Sequence, residues 1–384
     1  MQPPRLVFVS HTGAVSGAER VLVDVVKAFP DAAAFVFEDG ALAGLLRSSG
    51  LSVKVAVYGK NLAGVRRSNS LLSAIPLFGS LARLIWELRG EARQFDVVYA
   101  NSQKAFTLSA LSCVFTRKTL VWHLHDILSA AHFGAKQLKM QVFLANRFAK
   151  LVIVPSVAAA DAFVAAGGRA SLVNVVANGV TAASESRSKL QLRADLSLPD
   201  GPLIGVFSRL AAWKGQDIVI RAVARCPKVT AIIAGDALFG EQAYAGRLKQ
   251  LVRELNLESR VKFLGQRGDV QQLMRAMDIV VHPSVDAEPF GLTLVEAMLA
   301  HVPVIASNAG ASSEILESGK AGGLVAAGDV DALAAAIQNV IADAPRLAPQ
   351  LDYAQKRAET VYAVAGMQNS IRNLLQNVAP RGLS

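Results

Sequence analysis

Cysteine is nearly missing: the 384 residues hold two, Cys113 and Cys226, far apart and without metal-type spacing. Neither a disulfide framework nor a zinc site is therefore expected. Long apolar runs are missing as well, and nothing reaches the roughly 18 residues that a membrane-spanning helix needs. Near the start, Leu6 to Val9 is an apolar run of only four residues. That is too short for a secretory signal, so a cytoplasmic location is expected. Charged residues make up only 18% of the chain and aromatics 6%. No nucleic-acid recognition motif or cluster of stacking aromatics appears among them, and nucleic acid is set aside as a partner.

What the chain does have is apolar residues, 52% of the total, which describes a well-buried globular protein. Its length exceeds the ~250–300 residues at which a single core stops growing, so two domains are expected. Charge is unevenly shared between the halves. Residues 1–180 hold 19 Lys+Arg against 10 Asp+Glu, or +9, and residues 181–384 hold 21 against 20, or +1. A basic half suggests an anionic partner.

Short apolar runs recur through the chain: Leu6 to Val9, Ala34 to Phe37, Val53 to Val57, Val97 to Ala100, Leu120 to Trp122 and Leu151 to Val154. Helical stretches separate most of them, which predicts an α/β fold with a mostly parallel sheet. The last strand of this half is expected to end at Asn178-Gly-Val180. Thr181 to Lys189 is small and polar and reads as a linker. A second series follows at Pro202 to Phe207, Thr230 to Gly235, Arg260 to Gly265, Asp278 to Val281 and Val302 to Ala306. Ligands of such folds gather at the carboxyl ends of strands. The residues placed there include Gly13 and Gly17, Asn101-Ser102, His125-Asp126 and Pro155-Ser156. The glycines suit either a phosphate-contacting loop or a plain tight turn. His123 and His125 alternate, so they share one face of an extended chain, but no third metal ligand accompanies them.

The densest signal is Val281-His-Pro-Ser-Val-Asp-Ala-Glu-Pro-Phe-Gly-Leu-Thr-Leu-Val-Glu-Ala-Met298. It reads as a strand end, a loop and a helix start. Gly291 suits the turn. The amides of Leu292 and Thr293 are first-turn donors suited to a phosphate. Glu288 and Glu296 carry carboxylates able to accept from the vicinal hydroxyls of a ribose or hexose. Arg209 and Lys214 follow an earlier strand, where two cations can converge on one diphosphate.

Glu288-Pro-Phe290-Gly-Leu292 with Glu296-Ala297, and Pro283-Ser284 upstream, resembles the E-P-F-G-L-x-x-x-E-A signature of family 4 glycosyltransferases. Arg209 to Gly215 is similar to the family's G-R-x-x-x-x-K-G, with Ser208 replacing its first glycine. Ser16-Gly17-Ala18-Glu19 is similar to its G-G-A-E loop, again with the first glycine replaced. Gly310 and Glu314 resemble a further glycine–glutamate loop, and Thr181 stands where an acidic residue is usual. The resemblance covers nearly the whole chain.

It implies the GT-B arrangement, two Rossmann-like doubly wound domains facing across a cleft, and a retaining transfer of a hexose from a UDP- or GDP-sugar. The expected domains are 1–182 for the acceptor and 183–355 for the nucleotide sugar, with residues 356–384 crossing back to the first. Arg209 and Lys214 would neutralise the leaving diphosphate with help from Leu292 and Thr293. Glu296 would hold the ribose, Glu288 the hexose, and His125 would lie beside the reacting sugar. Gly17, Gly235, Gly265, Phe290 and Gly291 complete the expected donor site. No cofactor is implied and metal independence is expected, because two cations and a helix start do the work of a divalent ion.

The basic half adds a second expectation. Residues 59–93 interleave apolar side chains with Lys60, Arg66, Arg67, Arg83, Arg89 and Arg93 around Trp86, and residues 133–150 repeat the theme with Lys136, Lys139, Arg147 and Lys150. Apolar side chains among cations are what an interfacial segment needs. Two ordinary amphipathic helices packed on a sheet would read the same way. If the surface is interfacial, the acceptor is membrane-bound or lipid-linked. An epimerase or hydrolase of the same architecture, and a non-catalytic assembly subunit, stand as alternatives.

Overall fold

The computed structural model describes residues 4–59, 75–182, 184–238 and 240–378. The chain divides into two compact units. One runs to Gly179 and resumes at Val364, and the other is Val180–Ala363.

In the first unit the strands are β1 (Leu6–Ser10), β2 (Ala33–Val36), β3 (Ser52–Val55), β4 (Val97–Ala100), β5 (Thr119–His123), β6 (Ala149–Val154) and β7 (Val173–Val175). Helices α1 (Gly17–Val26), α2 (Ala41–Ser48), α3 (Ile75–Ala92), α4 (Gln103–Ser112), α5 (Ala135–Phe148) and α6 (Val157–Ala165) connect them. The sheet is parallel, in the order β3-β2-β1-β4-β5-β6-β7. Strands buried on both faces read as unbroken apolar runs, which is why LVFVS, VVYA and TLVWH are buried throughout. At the start of α1 the Glu19 carboxylate accepts from both the amide and the hydroxyl of Ser16. Val21, Leu22, Val25 and Val26 then bury one stripe of that helix. The core centres on Trp122, which stacks on Phe106 at 4.1 Å and meets the edge of Phe163.

The second unit repeats the plan. Its strands are β8 (Leu203–Phe207), β9 (Thr230–Ala234), β10 (Val261–Gly265), β11 (Ile279–His282), β12 (Val304–Ser307) and β13 (Gly323–Val325). They form a second parallel sheet, ordered β10-β9-β8-β11-β12-β13. Helices α7 (Lys189–Asp195), α8 (Gln216–Ala224), α9 (Gln242–Glu254), α10 (Val270–Ala276), α11 (Leu292–Leu299), α12 (Ser312–Ile315), α13 (Val330–Ala342) and α14 (Ala348–Val361) cover it. Strand order reverses between β1 and β4 in one sheet and between β8 and β11 in the other. Each reversal opens a crevice at the carboxyl ends of those strands.

Two boundaries differ from expectation. The last strand of the first unit ends at Val175, so Asn178 to Val180 lies beyond it. The return to the first unit comes at Val364 rather than near residue 356, because α14 packs on α11 and stays with the second unit. From there α15 (Val364–Val378) packs on α1, with Gln368 donating to the Asp24 carbonyl at 2.6 Å.

Trp122 is fully buried between two aromatic rings, so truncating it leaves a large void. Trp122→Ala should destabilise the first unit by about 3–5 kcal/mol, read as a lower urea midpoint for that unit.

Candidate active site

Both crevices are lined by polar side chains that the strand ends deliver. In the second unit, Arg209 follows β8, and Ala212–Lys214 makes a tight helical turn ending at Gly215. Gly215 has a φ of +68°, and a Cβ there would lie 2.1 Å from the Pro283 carbonyl oxygen. This close approach brings the loop after β8 against the loop after β11, where the Val285 amide donates to the Trp213 carbonyl at 2.8 Å. Gly235 does the same on the other side, since a Cβ would fall 1.9 Å from the Ser208 carbonyl. Its amide donates to the carbonyl of Gly265 at the end of β10.

A buried charged network occupies this edge. Lys214 Nζ pairs with Glu288 Oε1. The other oxygen, Oε2, accepts from His282 Nε2 at 2.7 Å and from Ser284 Oγ at 2.7 Å. His282 Nδ1 lies 3.0 Å from Thr293 Oγ1 on the first turn of α11. The ring of Trp213 carries two cations, Lys214 Nζ at 4.2 Å and the Arg209 guanidinium at 5.4 Å from its centroid. Arg209, Trp213, Lys214, Glu288, His282 and Thr293 thus form one connected cluster. Burial alone would raise the Glu288 carboxyl. The Lys214 ammonium and the His282 ring outweigh burial and hold it well below the usual carboxylate range.

The helix start meets the same network. Gly291 is the left-handed cap of α11, with a φ of +102°. Leu292 and Thr293 follow it, partly exposed, with first-turn amides that have no intrahelical partner. Glu296, one turn further on, is also partly exposed. Ser208, which stands where the family has glycine, accepts from Gln216 Nε2 at 2.9 Å through its hydroxyl.

The crevice of the first unit is built differently. His125 Nε2 lies 3.0 Å from Asn101 Oδ1 just beyond β4. The amide nitrogen of Asn101 donates to the Ala18 carbonyl of α1 at 3.2 Å. His123 is buried with Nδ1 2.7 Å from the Tyr99 hydroxyl, and its ring centroid lies 3.9 Å from that of His125. His11 Nδ1 meets Ser102 Oγ at 2.8 Å. Gln103 joins Asp126 at 3.0 Å. Burial pushes His125 down to about 3. Burial, then nearby Lys104, takes His11 down to about 4. His123 is also held well below its ordinary range, by burial first and the neighbouring His125 second. Burial thus favours the neutral form of all three rings at neutral pH.

Several expectations change in detail. Lys214 and Glu288, assigned to different parts of a donor, form an ion pair with each other. Phe290 is 4% exposed and packs its ring edge-to-face on Tyr362 at 5.6 Å. It is a packing residue, because the turn at Gly291 sends the preceding side chain inward. Gly17 is the exposed first residue of α1. Arg83, Trp86, Lys136 and Lys139 are exposed, whereas Arg66 and Arg67 lie outside the described residues. Asn101 was placed on the ligand-facing rim without a role, whereas His282 and Trp213 were not singled out. His282 is the last residue of β11, where the switch-point rule could have found it, and Trp213 stands next to Lys214 in the loop after β8.

A profile of the family described as Glycosyl transferases group 1 matches residues 188–358. One described as Glycosyltransferase Family 4 matches residues 15–184. The crystal structure of the Anabaena protein HepE in complex with UDP and glucose is 41% identical, with a TM-score of 0.87 over 97% of this chain and 99% of that one. HepE in complex with UDP-glucose is similar at 41% identity and a TM-score of 0.88, over 97% of this chain and 100% of that one. The lipopolysaccharide core biosynthesis mannosyltransferase LpcC of Rhizobium leguminosarum is 35% identical over 190 residues, 48% of this chain and 49% of that protein. A D-inositol 3-phosphate glycosyltransferase of Mycobacterium marinum is 36% identical over 159 residues, 41% of this chain and 33% of that protein. The chain thus spans about half or less of the length of these curated relatives.

The two crevices should respond to acid at different pH. His11, His123 and His125 charge near the ordinary value of 6.5 in the unfolded chain and stay neutral far below it when folded. The unfolded state then binds more protons, so stability of the first unit falls as pH drops below about 6.5, by up to ~1.4 kcal/mol per pH unit for each histidine. Glu288 has the opposite kind of group and a lower window. Its contribution is present above the ordinary 4.5 and is lost as pH falls through its depressed folded value. Thermal unfolding between about pH 8 and pH 5 should show Tm falling with acid, and His11→Gln should flatten the slope. A Tm constant across that range would count against neutral burial.

Proposed function

Because the chain belongs to the GT-B glycosyltransferases similar to family 4, we propose that it is a retaining hexosyltransferase that uses a nucleotide-diphosphate sugar, UDP in preference to GDP. The observation that carries this is the continuous cluster of Arg209, Trp213, Lys214, Glu288, His282 and Thr293 at one switch point. Two cations and a helix start at one edge match the main electrostatic demand of the reaction, charge developing on a departing diphosphate. The UDP and UDP-glucose complexes of the 41% identical HepE favour uracil as the base.

In this reading Arg209, Lys214 and the amides of Leu292 and Thr293 hold the diphosphate, and no metal is required. Glu296 accepts from the ribose hydroxyls, while Gly235 and Gly265 leave room for the base. Glu288 serves the hexose and orients Lys214. Both its oxygens are engaged by side chains, which supports a positioning role over that of a nucleophile. His125 is assigned to the reacting sugar. The leaving phosphate would then take the acceptor proton on the face where the new bond forms.

For the acceptor we propose a lipid-linked glycan at an anionic membrane surface, in polysaccharide or glycolipid assembly. The support is the helix layer of the first unit, where α4 packs between α3 and α5. Its outer side exposes Trp86 (69%), Phe115 (98%) and Phe143 (65%), together with Met140 and Leu111. Arg83, Lys104, Arg117, Lys136, Lys139 and Arg147 are exposed among them. On α5, Lys136, Lys139, Met140, Phe143 and Arg147 recur at helical spacing and share one stripe. Each cation near an anionic surface adds ~1 kcal/mol. No described helix is long and apolar enough to cross a membrane.

Donor binding is tested by thermal shift. UDP at ~100 times its dissociation constant should add about 2.7 kcal/mol to stability, unchanged by a chelator and lost in Arg209→Ala and Glu296→Ala. No shift with UDP, GDP or their sugars, with or without a divalent ion, would favour the non-catalytic alternative. Turnover of the donor without any acceptor would favour an epimerase or hydrolase. For the surface, co-sedimentation with vesicles containing anionic lipid should be retained by the parent protein. It should fall by an order of magnitude or more in the Lys136→Glu/Lys139→Glu double variant. Equal sedimentation of both proteins would dismiss this face as a membrane contact.

A further inference from the structure

The bonds around Asn101 determine which nitrogen of His125 carries the proton. Asn101 is completely buried at the end of β4, and its own amide donates to the Val9 carbonyl of β1 at 2.9 Å. The side chain therefore sits at the switch point with no freedom to leave. One end of it faces the carbonyl oxygen of Ala18 at 3.2 Å. A peptide carbonyl has no proton to give, so that end must be the NH2 group, whatever the apparent orientation of the amide. The other end is then the carbonyl oxygen, Oδ1, and it faces His125 Nε2 at 3.0 Å. Two acceptors would repel there, so Nε2 must carry the hydrogen. His125 is partly buried and neutral, so its single ring proton is accounted for, and Nδ1 keeps a lone pair. No hydrogen bond joins Nδ1 to a described residue.

We propose that Asn101 is a positioning residue that reads the Ala18 carbonyl as its reference and locks His125 in the Nε2–H tautomer. Nδ1 is thereby presented as an acceptor for a hydroxyl of the sugar substrate. This rests on the assignment of His125 to the reacting sugar and adds the direction of the bond. A group meeting Nδ1 has to donate. A sugar hydroxyl qualifies, and a phosphate oxygen is turned away. The first turn of α1 gains a role as well. Its Ala18 carbonyl supplies the fixed acceptor from which the polarity of the chain Ala18, Asn101, His125 is set.

The test uses the full-length protein with 15N-labelled histidine, and His125→Gln identifies the His125 ring signals. In the parent protein at neutral pH the proton is expected on Nε2, with Nδ1 in the lone-pair form. In Asn101→Ala the Nε2 proton should exchange with solvent at least tenfold faster. There kcat/KM for transfer should fall roughly 3- to 10-fold, the effect of one misdirected neutral hydrogen bond, while UDP affinity stays within twofold. Unchanged UDP affinity reports an intact second unit, and faster ring exchange would not follow from a lost packing contact elsewhere. A parent protein with the proton on Nδ1 overturns the proposal without any variant. So does an Asn101→Ala enzyme whose ring proton is freed but whose kcat/KM is that of the parent. His125→Gln with full transfer activity would instead sink the assignment of His125 itself, and the acceptor role with it. That outcome is separate from the ring-proton spectrum.

Discussion

The Glu288 carboxylate is the constraint on which the second unit's crevice depends. An ionised carboxylate so deeply buried is tolerated only where charge and hydrogen bonds surround it. Lys214 does so from the loop after β8, His282 from the end of β11 and Ser284 from the loop after it. The backbone of the same residue extends the arrangement. Glu288 bridges Gly310 in parallel fashion, and its carbonyl accepts from the Ala311 amide at 3.0 Å. One residue therefore ties together the loops that follow β8, β11 and β12. Lys214 holds its position because the anion it pairs with holds its own.

The two crevices share a topology and differ in electrostatics. In the second unit, charge is concentrated: a buried ion pair, a second cation across Trp213, and the amides of a helix start. In the first unit, charge is suppressed: burial favours the neutral form of three histidines, which bond to Ser102, to the Tyr99 hydroxyl and to Asn101. A diphosphate asks for the former environment. A neutral sugar, whose hydroxyls both donate and accept, asks for the latter. The roles proposed for the two crevices, diphosphate at one and sugar at the other, follow this difference.

Much of this was legible in the sequence because buried parallel strands leave unbroken apolar runs, and because residues just past such runs fall on the ligand-facing rim. Arg209, Lys214, Glu288 and His125 were all placed after strands in that way, and the resemblance to family 4 singled them out. Three things were not legible. The pairing of Lys214 with Glu288 joins positions on different loops, and only the contact of Gly215 with the Pro283 carbonyl brings those loops together. Phe290 lies inside the stretch that resembles the family signature yet packs inward on Tyr362, because spacing along a motif does not report side-chain direction. Short strands such as β13, three residues and only partly buried, carry too little apolar signal to stand out from a loop.

The three tryptophans occupy three physically distinct surroundings. Trp122 is sealed between aromatic rings, Trp213 lies under two cations, and Trp86 projects its indole from a basic face. Indole emission follows local polarity and field, so the protein carries three built-in optical probes. One responds to the integrity of a core, one to anions arriving at a cationic edge, and one to the medium against an outer helix. Replacing any two by phenylalanine would leave a single-colour sensor of core, cationic edge or surface, with no dye attached.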